Sequence, residues 1–204
     1  MKKIILSAAA LFVFGFASAQ DATTTGGGDA KGFANGDIFM SGSIGFSSAK
    51  TGDFKTNSFT VAPKVGFFVS ENIAIGGALG YTSSKVDDGV GEDAENNTLS
   101  VGAFGRYYTT PASDFSFFAE LGFNYNSTTS NDGTGGEDFK VNGFDVALSP
   151  GVSYFISSNF ALEASIGALS YETSKPDFDG AEDTNTFGLN LNLTDVMVGL
   201  VYKF

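Results

Sequence analysis

Over most of the chain, large apolar residues recur at every second position with small or polar residues between them. Successive side chains of an extended strand point to opposite faces, so this two-residue period predicts strands with one greasy face. Ile38, Met40, Ile44 and Phe46 share one parity, opposed by Ser41, Ser43 and Ser47. Phe59, Val61, Pro63, Val65 and Phe67 oppose Thr60, Ala62, Lys64 and Gly66. The pattern returns in segments 73–81, 99–107, 115–125, 144–154, 160–168 and 196–204, giving eight strands of about nine to eleven residues.

Alternation alone also fits a soluble sandwich, and the minority face discriminates. It is mostly Gly, Ala, Ser, Thr and Asn with a few charges, whereas a soluble barrel would place its large apolar groups inside. A continuous greasy face opposite a small, polar one predicts a transmembrane β-barrel, with lipid outside and a polar lumen. Closure also removes the sheet edges, whose unpaired backbone groups would each cost several kcal/mol in a bilayer.

The connections alternate in length, as such a barrel needs. Short turns fall near residues 70–72, 110–114 and 157–159, and long ones near 48–57, 83–97, 127–139 and 172–185. Short turns belong on the periplasmic side and long loops outside. Aromatics gather at the strand ends, as interfacial girdles do: Phe46, Phe59, Tyr81 and Tyr125 by the long loops, Phe67, Tyr107, Phe115, Tyr154 and Phe160 by the turns.

An internal repeat supports the hairpin reading. PKVGFFVSENIAI from Pro63 aligns with PGVSYFISSNFAL from Pro150 at an offset of 87 residues. Proline cannot donate to a ladder, so each should lie at a bulge or a non-bonded position. The last strand also changes parity: Phe187, Leu189, Leu191 and Leu193 are odd, Val196 to Phe204 even. That requires a one-residue slip near Thr194-Asp195, or a segment that packs above the membrane under the loops.

Upstream of the strands the chain changes character. Lys2 and Lys3 precede an apolar run, Ile4 to Phe16, which ends at Ala17-Ser18-Ala19. This is the pattern of a secretory signal peptide over residues 1–19 cleaved after Ala19, and the run is too short to span a bilayer. Residues 20–35, rich in Gly and Thr, are expected to form a flexible leader, with the barrel domain over residues 36–204.

Composition narrows the function. The 204 residues hold 11 bases and 23 acids, a formal charge of -12, yet the mean hydropathy is +0.06. Acidic and apolar residues are therefore segregated, and 14 of the acids fall in the four long loops. The acidic balance argues against a nucleic-acid partner, which needs a basic footprint. With no His and no Cys there is no disulfide, thiol nucleophile, Cys/His zinc site or His-based triad. We therefore expect no enzyme and no cofactor.

With the signal peptide and the eight strands, the terminal segment resembles the small bacterial outer-membrane β-barrel family of OmpA/OmpX type. Phe204, Tyr202, Leu200 and Val198 alternate, and Gly199 stands five residues before the end, while Met197 replaces a usual polar residue. The resemblance covers residues 36–204. It implies an address in the cell outer membrane, among its lipids. It also implies recognition of the terminal signal by periplasmic chaperones and the barrel-assembly machinery.

Two residue groups invite a functional reading. Lys64, Arg106, Glu120, Asp145 and Glu163 lie on the inward face. An eight-stranded barrel is just wide enough for its side chains, so these charges either form a packing network that pins the barrel closed or a switchable gate over an ion path. In the loops, Asp87, Asp88, Glu92, Asp93 and Glu95, then Asp177, Asp179, Glu182 and Asp183, with Asp132, Glu137 and Asp138 between, are solubilising charges or contacts for Ca²⁺ or Mg²⁺. No segment has the spacing of an EF-hand loop. The leading expectation is a structural, adhesive or surface-interaction barrel acting through its extracellular loops. A small porin-like channel and a soluble secreted β-protein are the alternatives.

Overall fold

The structure, a computed structural model, describes residues 31–87, 89, 93–133, 138–167, 169–189 and 196–204. The expected signal peptide, leader residues 20–30, Asp88, Glu92, Glu137 and the parity slip at Thr194-Asp195 lie outside them.

Ten strand segments follow one another: β1 (Ile38–Thr51), β2 (Phe54–Phe68), β3 (Ile73–Asp87), β4 (Ala94–Tyr108), β5 (Phe115–Asn131), β6 (Phe139–Phe155), β7 (Phe160–Ser165), β8 (Leu169–Pro176), β9 (Thr184–Leu189) and β10 (Met197–Lys203). All pairings are antiparallel. β6 carries β7 and β8 along one edge, β8 pairs β9, and β7 pairs β10, so the last four segments form two interrupted staves. β10 then pairs β1 over Phe39–Gly42, closing an eight-stranded transmembrane barrel.

The expected parity holds around the wall. Ile44, Phe117, Leu121 and Val198 are each more than half exposed outward, an apolar surface that belongs in lipid. Two expectations need correction. β1 to β6 run 14 to 17 residues, so much of the sequence expected as long loop is paired strand. Polar side chains bond across these extensions, as in Thr60–Thr82 at 3.1 Å and Thr98–Thr128 at 2.9 Å. An antiparallel sheet can be solvated, so pairing continues past the membrane until a turn ends it.

The second correction concerns the lumen, which is polar only in part. At the short-turn end it is a dry core of Phe39, Phe68, Tyr108, Phe118, Phe155, Ala74, Ala161 and Val201. Glycines make the room: a Cβ at Gly76 or Gly151 would run into the ring of Phe104 or Phe118. Residues 31–35, expected as the end of a flexible leader, dock under this core. Phe33 is 2% exposed, with ring centroids of Phe68 at 4.7 Å and Phe155 at 4.8 Å. Its amide donates to the Pro111 carbonyl at 2.7 Å. Gly32 allows the approach, since its φ of +96° and the Ala112 carbonyl carbon 2.5 Å from any Cβ leave space for glycine alone.

The 87-residue repeat proves to be a turn device. Ser70 Oγ accepts from the Ile73 amide and Ser157 Oγ from the Phe160 amide, each at 3.1 Å. Asn72 Nδ2 donates to the Tyr108 carbonyl and Asn159 Nδ2 to the Lys203 carbonyl, each at 2.8 Å. The prolines also recur where ladders break. The β2–β3 ladder skips Ala62 and Pro63. Between the pairs Gly151↔Ser165 and Leu148↔Leu169, two residues of β6, Ser149 and Pro150, face three on the partner strand, which is the count of a β-bulge.

Candidate functional site

Above the aromatic core, the waist of the lumen is crossed by one cation held between two carboxylates. Arg106 and Glu120 are directly opposed on β4 and β5, so their side chains share the inward face. Arg106 Nε and Nη2 donate to Glu120 Oε2 at 2.9 and 2.6 Å, and Nη1 donates to Glu163 Oε1 and Oε2 at 2.7 and 2.8 Å. Tyr108 Oη lies 2.7 Å from the same Nη1 and donates to Glu163 Oε1 at 3.1 Å. Lys64, from β2, donates to Glu120 Oε1 at 2.5 Å. The guanidinium also lies 4.3 Å from the Phe118 ring centroid, a cation–π contact at desolvated range.

Arg106, Glu120 and Glu163 are all at least nine-tenths buried. In such surroundings a charge is tolerated when it is paired and its hydrogen-bonding capacity is filled. Two cations meet two carboxylates here, and the Arg106 fork is filled on both sides. The arrangement fastens β2, β4, β5 and β7 to one point.

Of the five inward charges read from the sequence, Lys64, Arg106, Glu120 and Glu163 come together and Asp145 does not. Asp145 lies nearer the long connections, where Asn124 Nδ2 donates to its Oδ2 at 2.8 Å and Asn126 Nδ2 to its Oδ1 at 2.6 Å. Tyr108, Phe39, Phe104 and Phe118 were missed as partners of the network. Their signal was present: each is a large aromatic on the parity otherwise given to small or polar residues.

The waist and the aromatic core form the floor of a cavity of about 390 Å³, which Ser43, Thr60, Thr82, Ser100 and Asn126 line toward the long connections. The loop acids spread out. Glu95 pairs with Lys85 at 3.0 Å and Asp183 with Lys175 at 3.7 Å, Asp87 caps the Gly89 amide at 2.9 Å, and Asp177, Asp179 and Glu182 are exposed. Among the described residues no three acidic groups converge as a metal ion would require. In the terminal segment Val198, Leu200 and Phe204 face lipid, Tyr202 packs at a tilt on Phe160 and edge-on against Phe204 at 5.0 Å each, and Gly199 backs onto Gly42.

The sequence profile of the outer membrane protein beta-barrel domain matches residues 7–204. Among solved structures, the outer membrane protein OprG from Pseudomonas aeruginosa is similar at 17% identity and a TM-score of 0.52, covering 85% of this chain and 98% of its own. Neisserial surface protein A is similar at 15% identity and a TM-score of 0.49, covering 82% and 97%. Comparison with curated protein sequences returns no match.

Proposed function

The chain belongs to the outer membrane protein beta-barrel domain family, and from that premise we propose that it is a non-conducting surface barrel. Exported by cleavage after Ala19, it works through the polar strand extensions and acidic turns that its long connections hold outside the membrane. The supporting observation is the double closure of the lumen. Lys64, Arg106, Glu120 and Glu163 bridge its waist, and below them Phe33 caps the core formed by Phe39, Phe68, Tyr108 and Phe155. A hydrated ion would have to part the ion pairs of Arg106, whose three members are more than nine-tenths buried, and then cross a layer of packed rings. Such a layer binds no ion and admits no water column.

The outward end suits contact with other surfaces. Phe139 and Phe178 meet there at 6.1 Å between centroids, both exposed, among acidic turns. Aromatic groups on a polar, charged rim are the usual makings of a recognition surface.

Single-channel recording in planar bilayers tests the reading. Refolded wild type is expected to give no resolved conductance steps, and liposomes containing it no swelling in small sugars. Regular steps from the wild type would overturn it in favour of a small passive channel.

A further inference from the structure

The hairpin of β1 and β2 stacks its outward side chains in a graded order. Opposed residues of an antiparallel pair share a face, and the outward pairs climb from Ile44↔Val61 through Phe46↔Phe59 and Ser48↔Asn57 to Lys50↔Lys55. Aliphatic, aromatic, hydrogen-bonding and cationic pairs follow one another from the membrane toward the rim. Ile44 and Phe46, 77% and 75% exposed, are the most exposed large apolar side chains among the described residues. At the top, Lys50 and Lys55 are both exposed, and neither makes an ion pair among the described residues. Like charges set directly opposite each other destabilise a sheet. Of the nearby acids, Asp87 faces Lys55 from β3 with one oxygen taken by the Gly89 amide at 2.9 Å, and Asp53 lies on the turn beside the same glycine. The other outward lysines of the long strands stand closer to acids. Lys85 pairs with Glu95, Lys175 with Asp183, and the Lys140 carbonyl accepts from the amide of Asp177.

We infer that the outward face of this hairpin binds a phosphorylated lipid of the outer leaflet, with the phosphate between Lys50 and Lys55 and the acyl chains against Phe46, Phe59, Ile44 and Val61. A phosphate brings the negative charge that relieves the opposed ammonium groups, and its oxygens accept charge-assisted hydrogen bonds from both. The heights agree. At about 3.3 Å per residue and a tilt of about 40°, the lysines stand about 10 Å above the aromatic pair. Their flexible stems bend back toward the membrane and bring the ammonium groups down to the headgroup layer. Between the two levels Ser48, which donates to Asn57 Oδ1 at 2.9 Å, and Asn57 present polar groups to the sugar or glycerol linkage. A soluble anion would meet the lysines alone. A lipid meets all four pairs, and that selects it.

The site belongs to the outer wall, so it stands or falls apart from the closed lumen. The chain has no Trp, so Phe59→Trp gives one indole in the site, and Phe117→Trp gives one on the outward face near the short turns. Each protein is refolded into phosphatidylcholine vesicles that hold a minor fraction of brominated phosphatidic acid or brominated phosphatidylcholine. Quenching then compares the two lipids at equal mole fraction. Phosphatidic acid is expected to associate with the Phe59→Trp indole roughly fivefold or more above phosphatidylcholine, and with the Phe117→Trp indole no better than it. In the Phe59→Trp protein, Lys50→Gln or Lys55→Gln alone should weaken the preference and the two together should remove it. Lys50→Arg with Lys55→Arg should keep it, and inorganic phosphate at constant ionic strength should not displace the lipid. Heat-modifiable gel mobility shows that each variant is folded. Equal quenching of the Phe59→Trp indole by the two lipids, the same preference at both indoles, a preference that survives the glutamine changes, or displacement by inorganic phosphate would each overturn the assignment.

Discussion

Arg106 is where single-residue chemistry weighs most. Its guanidinium is 4% exposed and is shared by two carboxylates and a phenol, so removing it leaves two buried acids facing each other. Breaking a buried pair by deleting one partner costs about 3–5 kcal/mol. We expect Arg106→Gln to lower stability by about that amount, read as a shifted urea midpoint of the refolded barrel in detergent. Glu163→Gln should cost less, since an amide oxygen still accepts from the guanidinium. That Arg106, Glu120, Glu163 and Lys64 face inward was legible in the sequence, because parity alone puts them there. Which of them would touch was not. Contact depends on stagger around the barrel, and a linear pattern carries no stagger between strands as far apart as β2 and β7. Asp145 shows the gap: same parity, different height, different partners.

At the scale of elements, strand existence was plain and strand length was not. Hydrophobic alternation reports the part of a strand that meets lipid, and it falls silent where both faces meet water. The extensions of β3, β4 and β5 are rich in Ser, Thr and Asn, and they read as loop although they pair to within a few residues of the turn. The bulge opposite Ser149 and Pro150 was legible only as a proline out of place. Its consequence is large, because it shifts the outward parity from Leu162 and Ala164 to Leu169 and Tyr171. Deleting Gly167 should remove the extra residue, leave two residues facing two, and keep Leu169 opposite Leu148 with Tyr171 still outward. We expect both this deletion and Gly167→Ala, with open space around its Cβ, to retain the heat-modifiable, compact band on refolding; loss of the band in the deletion alone would show that closure needs the bulge itself.

For the whole molecule, the topology followed from counting. Eight alternating segments with short and long connections in turn leave one closed arrangement, and the structure has it. The docking of residues 31–35 could not be counted, because a lone Phe33 among Gly, Ala and Asn has no period to announce its face. Its socket is gathered from four strands, β1, β2, β4 and β6. Lys203, on the strand that completes the barrel, donates to the Gly32 carbonyl at 2.7 Å, while Phe204 donates its amide to Ile38 at 3.0 Å. Gly32 is thus held by the closing strand and Phe33 by the β4–β5 turn and by rings of β1, β2, β4 and β6, so docking is complete only in the closed wall. A barrel still lacking β10 has nothing at Lys203 to hold this segment. The chain contains no Trp, so Phe33→Trp would give it a single indole whose emission reports the event. During refolding its blue shift should accompany or follow the appearance of the compact gel form and never precede it. The segment that leads into the barrel then behaves as a latch, and a molecule whose last strand has not paired is left open at its short-turn mouth.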